Sequence, residues 1–166
     1  QSAPEAAAPA ESDAVSRLAA RERDSGMTGA AFYRGFAQRV ERLRGQLVAE
    51  LERRKRDGQS LAAYGASAKG STLMSYFGIG AETLDFVVDR SSVKQGRYTP
   101  GNHLPILAPE ALLERQPDAA LLLTWNFAAE IFRQQAAYLE SGGEFIVPLP
   151  EVRAVGREAL EEADRS

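Results

Sequence analysis

Two short segments, LDFVVD at 84–89 and AALLLTW at 119–125, hold runs of consecutive apolar residues, FVV and AALLL, rather than apolar residues at every second position. Side chains alternate across a strand, so a strand apolar on both faces must be covered on both. A chain built on such strands cannot settle as a helical bundle or as a sheet with one wet face. Ser60–Tyr64 and Glu144–Val147 have the same character, and Leu104–Leu107 is a shorter candidate bracketed by Pro105 and Pro109. Between them, helical patterns occupy Ala68–Phe77, Pro109–Arg115 and Phe127–Glu140. Apolar strands alternating with helices predict an α/β fold: a Rossmann-like parallel sheet of about five strands. Right-handed crossovers then give the order 3-2-1-4-5.

A long amphipathic stretch precedes this pattern. Phe36, Val40, Leu43, Leu47 and Leu51 recur at spacings of 4, 3, 4 and 4, which is one face of a helix. Arg53, Arg54, Lys55 and Arg56 crowd its last turn, where they read as a solvated helix end, and Asp57-Gly58 supplies the stop. The Ala/Pro/Ser/Glu-rich residues 1–12 read as a disordered linker. The expected organisation is therefore a helical segment at 13–58 packing on a sheet domain at 59–152, with a C-terminal helix or tail at 153–166. A chain that begins at Gln1 is expected to be a processed product or a piece of something longer.

Composition narrows the chemistry. With 20 Lys and Arg against 23 Asp and Glu, the net charge is −3, so no general attraction draws this chain to nucleic acid or anionic lipid. Anion binding has to come from a local site. There is no cysteine and only one histidine, His103, which excludes disulfides, thiolate catalysis and multi-Cys or multi-His zinc sites. No apolar run approaches the ~18 residues that a membrane span needs, and no signal peptide is evident at the N-terminus. The expected location is cytoplasmic.

In a doubly wound sheet, ligands sit beyond the carboxyl ends of the strands where strand order reverses. The loops leaving the two central strands are Gly65-Ala66-Ser67-Ala68-Lys69-Gly70 and Trp125-Asn126-Phe127. The first has G-x-G-x-x-G spacing with Ser67 in place of the middle glycine, and Asp89 follows Gly70 by 19 residues, near the place of a ribose-binding acid. It is also near a P-loop, but Lys69 precedes the second glycine instead of following it, which rules out the Walker arrangement. What remains is a phosphate cradle of backbone N–H groups, Ser67 and Lys69, or an ordinary strand–helix turn with Lys69 in solvent. A second cluster follows Asp89, with Lys94, Arg97, Tyr98, Thr99 and His103 in a polar loop. At the carboxyl edge it is suited to gripping phosphates or a sugar, with Tyr98 stacking on a ring; composition alone equally suits a surface turn around Pro100-Gly101. Trp125, Asn126 and Glu130 close a third side, or serve as a core residue, a helix cap and a first-turn acid.

At these residues the sequence resembles a known family. YGASAKGSTL (64–73), VVDRSSVKQGRYTPGNHLPI (87–106), WNFAAEI (125–131) and GGEFIVPLP (142–150) are similar to the C-terminal domain of the SAM-dependent C-methyltransferases that act on nucleotide-linked deoxysugars. The resemblance covers about residues 30–150. Ser71 and Ser75 stand where that family usually has Asn, and Asn102 where it usually has Thr. The resemblance implies a zinc-binding module and a SAM-binding domain ahead of this one, with the nucleotide-sugar held between the SAM domain and this domain. It implies deprotonation beside a ketone and capture of the methyl group of SAM by the enolate. This chain would then bind the nucleotide and phosphate portion of a TDP- or UDP-linked sugar through Gly65, Ser67, Lys69, Gly70, Asp89, the 94–103 loop, Trp125, Asn126 and Glu130. No acidic strand end followed by a glycine-rich SAM motif is present, so SAM is expected on a domain in cis or in trans. Alternatives are a freestanding nucleotide- or NAD-binding module, supported by Asp89, and a non-catalytic scaffold using the Phe36–Leu51 face.

Overall fold

The computed structural model describes residues 13–164; the linker expected at 1–12 lies outside them. The described residues fall into two compact units divided between Arg42 and Leu43, inside a helix. The first unit holds α1 (Asp13–Asp24), a turn at Ser25–Gly29, and the start of α2 (Ala30–Arg56). None of its described side chains is buried, and Phe36 is 55% exposed. Burial along the apolar stripe of α2 begins at Leu47 and continues at Leu51 and Arg54, all in the second unit.

That second unit continues with β1 (Leu61–Tyr64), α3 (Ala68–Phe77), β2 (Phe86–Val88), β3 (Ile106–Leu107) and α4 (Ala111–Arg115). After these come β4 (Ala119–Leu122), a 3-10 turn at Trp125–Phe127, α5 (Ala128–Gln134), α6 (Ala136–Glu140), β5 (Glu144–Val147), β6 (Arg153–Val155) and α7 (Glu158–Asp164). The sheet order is β3-β2-β1-β4-β5-β6. The first five strands are parallel in the expected Rossmann-like order, with Ala63 of β1 opposite both Val87 and Leu121. The sixth strand was not legible as one: Arg153–Val155 has no apolar run, yet it adds antiparallel to β5 at the edge. An edge strand is buried on fewer sides, so its sequence carries less of a strand signature.

Strand residues of one parity, among them Ala62, Tyr64, Val88, Leu122 and Phe145, pack with Ile131, Phe132, Tyr138 and Leu139 of α5 and α6. The opposite parity, Leu61, Ala63, Val87, Leu121 and Ile146, is also fully buried, on the side where α3 carries Leu73, Met74 and Phe77. This two-sided burial explains the unbroken apolar strands. The helix expected over Phe127–Glu140 is interrupted at Gln135, whose N–H is shared between the carbonyls of Ile131 and Phe132.

The basic end of α2 is not uniformly solvated, as the sequence suggested. Arg54 is 4% exposed and bonds Glu50 and Glu144, each at 2.7 Å, which ties α2 to the start of β5. Among the described residues, no helix is long and apolar enough to cross a membrane.

Candidate functional site

Strand β1 is followed at once by Gly65, whose φ of +98° belongs to the left-handed region. A Cβ there would lie 2.5 Å from Thr124 Cγ2, so glycine is required both by backbone conformation and by the close approach of the loop after β4. Ser67 then caps α3, its Oγ accepting from Gly70 N–H at 3.1 Å. Gly70 lets α3 lie against β4, because a Cβ would stand 2.8 Å from Leu123 Cβ. The two loops expected to form one site are thus packed together by two glycines.

Lys69, in the first turn of α3, reaches across to the second loop. Its Nζ donates to Asn126 Oδ1 and lies 4.3 Å from the centroid of Trp125. Both partners are neutral. Other cations at this edge are matched by carboxylates: Arg90 pairs with Glu130 at 3.0 Å, and Lys94 with Asp89 at 3.1 Å.

Asp89 serves as a clip. One carboxylate oxygen accepts from Ala66 N–H at 2.7 Å and from Lys94, the other from Ser91 N–H at 2.8 Å. Lys94 also donates to Ala66 carbonyl oxygen at 2.8 Å, and Gln95 Nε2 donates to the Asp89 carbonyl at 2.9 Å. The carboxylate therefore fastens the β1–α3 loop to the segment after β2.

The polar cluster from Lys94 to His103 divides in two. Lys94 stays at the carboxyl edge, but the chain then runs antiparallel beside β3. Gly96 N–H donates to Ile106 carbonyl oxygen, Ile106 N–H to that of Arg97, and Tyr98 bridges Pro105. This course carries Thr99 and His103 toward the start of β3, at the amino ends of the strands, where Asn102 Nδ2 donates to Ile79 carbonyl oxygen at 2.5 Å. Thr99 is buried, with Oγ1 accepting from Leu104 N–H at 2.9 Å. Tyr98 is 64% exposed and His103 is exposed, with φ +53°. The expectation of one grip at the carboxyl edge is corrected for Tyr98, Thr99 and His103. Pairing along β3, which polar composition does not announce, directs them away.

Four further residues complete the edge. Tyr64, Arg90, Thr124 and Phe127 join Gly65, Asp89, Glu130 and Ile131 around a cavity of about 240 Å³. The hydroxyls of Tyr64 and Thr124 are buried without a well-formed hydrogen bond among the described residues, the Gln135 side chain lying beside that of Tyr64. Burial pushes the Tyr64 phenol above its usual pKa, so it remains a protonated donor at neutral pH. Their positions, immediately at or after the ends of β1, β2 and β4, were the available sequence signal.

A family model described as the C-methyltransferase C-terminal domain matches residues 2–150. The chain is also 40% identical over 158 residues to the C-methyltransferase NovU of Streptomyces niveus, covering 92% of this chain and 38% of that protein. It therefore spans well under half the length of that relative. Both matches run through the two glycine-tied loops and the clip of Asp89, and the chain belongs to the C-methyltransferase C-terminal domain family.

Proposed function

We propose that this chain holds the nucleotide-linked sugar substrate of a C-methyltransferase by its phosphates, while a separate SAM domain, in cis or in trans, transfers the methyl group. The observation that carries this reading is Lys69: a cation at the N-terminal turn of a ten-residue helix, bridging two strand-end loops, with the neutral Asn126 and Trp125 as its partners among the described residues. An incoming phosphate gains a charge-assisted hydrogen bond there without breaking an ion pair. Fixing the substrate by its phosphates contributes positioning, which lowers a barrier without chemistry from this chain.

Two features weigh against NAD at this site. Ser67 stands where a dinucleotide loop has bare glycine, and its Oγ is spent on capping α3. Both oxygens of Asp89 are engaged by backbone N–H groups and Lys94, so the carboxylate is not free to take ribose hydroxyls. This weighs against the freestanding NAD module, and the proposal leaves SAM to the separate domain.

Calorimetric titration of the chain with TDP, UDP, NAD and SAM tests the reading. TDP or UDP should bind, and Lys69→Ala should weaken that binding about tenfold or more, the worth of one charge-assisted hydrogen bond. Preferential NAD binding would instead support the freestanding module, and saturable SAM binding would overturn the division of labour. Silence from all four would favour the scaffold.

A further inference from the structure

We propose that Asp89 and Lys94 are positioning residues: they set the grip of Lys69 on phosphate by pinning the loop between β1 and α3, and neither touches the ligand. The inference rests on the phosphate-binding reading above and names what holds that grip in register.

Gly65 N–H still joins the sheet, donating to Val88 carbonyl oxygen, but its φ of +98° turns the chain away from the strand. Glycine is the most permissive residue type, so β1 alone does not fix the direction in which α3 starts. The peptides on either side of Ala66 are held from outside instead. Ala66 N–H donates to Asp89 Oδ2 at 2.7 Å, and Ala66 carbonyl oxygen accepts from Lys94 Nζ at 2.8 Å. Ser67, the next residue, caps α3, and Lys69 follows in the first turn. A displacement of Ala66 is therefore passed to the cap and to the turn that carries the ammonium.

Asp89 is suited to this role and unsuited to a ligand contact. It is buried directly after β2, and its own N–H donates to Leu107 carbonyl oxygen, which anchors it to the sheet. Its other carboxylate oxygen accepts from Ser91 N–H at 2.8 Å, and Gln95 Nε2 donates to its carbonyl at 2.9 Å, so the segment 89–95 closes around the side chain. A buried carboxylate is costly unless hydrogen bonds and a counter-charge satisfy it. Here Ala66 N–H, Ser91 N–H and Lys94 Nζ do so, which leaves no demand for a ligand to meet. Lys94 has a second effect. An unmatched carboxylate this close to the loop would repel an incoming phosphate, and the ammonium at 3.1 Å offsets that charge. A loop braced in this way is ordered before the ligand arrives, and binding then costs less conformational entropy.

The test measures the affinities of inorganic pyrophosphate and UDP for the wild-type chain, for Asp89→Ala, Asp89→Asn and Lys94→Met, and for each of these combined with Lys69→Ala. Pyrophosphate carries no ribose, so it separates a positioning role from a sugar contact. Asp89→Ala and Lys94→Met should each weaken both ligands by the same factor, about 2- to 10-fold, the worth of one lost element of preorganisation. In the Lys69→Ala background the same substitutions should change affinity by less than about twofold, because the group they position is gone. Asp89→Asn keeps the size of the side chain and one acceptor oxygen. It should fall between wild type and Asp89→Ala, and it is read in place of Asp89→Ala if that variant does not fold. Weakening of UDP alone makes Asp89 a ribose contact and overturns the inference. Losses that simply add to that of Lys69→Ala give Asp89 or Lys94 a ligand contact of its own and overturn it too. Unchanged affinity in all three variants, with wild type binding both ligands, makes the clip purely structural and leaves the phosphate reading standing. Failure of wild type to bind either ligand removes the phosphate reading and the inference with it.

Discussion

The ammonium of Lys69 lies 4.3 Å from the centroid of Trp125 and donates a hydrogen bond to Asn126, so one side chain joins the loops that leave β1 and β4. Cation–π contacts at exposed sites contribute about 0.5–1 kcal/mol. Lys69→Ala is therefore expected to lower the unfolding free energy by no more than about 1 kcal/mol, measured by urea denaturation. A loss of several kcal/mol would show that Lys69 is part of the framework and not a free grip for a ligand.

Gly70 and Gly65 should be far less tolerant. A methyl group at Gly70 meets Leu123 Cβ at 2.8 Å, and one at Gly65 meets Thr124 at 2.5 Å on a backbone with positive φ. Overpacking of this kind costs about 1–3 kcal/mol, and Gly65→Ala adds strain of about 1 kcal/mol or more in the left-handed region. Thermal melts should rank wild type above Gly70→Ala above Gly65→Ala. The reverse order would contradict the assignment of Gly65 to both constraints.

These glycines also show what was legible in the sequence. Gly65, Ser67 and Gly70 stood out through their spacing, and the strand order followed from apolar runs that need cover on both faces. Three features did not stand out. The excursion of Tyr98, Thr99 and His103 is set by backbone pairing with Leu104–Ile106, and main-chain hydrogen bonds leave little trace in side-chain type. Arg54 looked like its neighbours Arg53 and Arg56 because only the partner Glu144, 90 positions away, distinguishes it. Tyr64 and Thr124 read as strand residues, and the burial of their hydroxyls is a property of the folded chain alone.

Arg54 gives a prediction about stability. Its side chain is 5% exposed, and its partners Glu50 and Glu144 are 24% and 41% exposed. Breaking a fully buried pair costs about 3–5 kcal/mol; with half-exposed carboxylates that water can reach, Arg54→Ala should cost about 1–3 kcal/mol. Arg53→Ala, whose ion pairs are surface ones that water and salt screen, should cost clearly less. Equal losses in the two variants would refute the distinction.

Asp118 links the starts of β1 and β4. It accepts from Ser60 N–H at 2.7 Å and from Ser60 Oγ at 2.8 Å. These bonds, the backbone one foremost, hold its carboxyl below the ordinary 3.8. A depressed folded-state pKa stabilises above the unfolded value and loses that contribution as pH falls through the folded one. Asp118→Asn should therefore melt lower than wild type near neutrality, and the gap should close as the pH drops below about 4. A gap constant with pH would mean that the carboxylate's charge is irrelevant to the link.

The most direct test uses Trp125, the single tryptophan of the chain, as a reporter in contact with Lys69. Titration with UDP or TDP should draw the ammonium away from the indole and change its fluorescence saturably, whereas Lys69→Ala, with no ammonium to withdraw, should lose that change. An unchanged signal in wild type while calorimetry registers binding, or identical curves in wild type and variant, would contradict the placement of phosphate at Lys69.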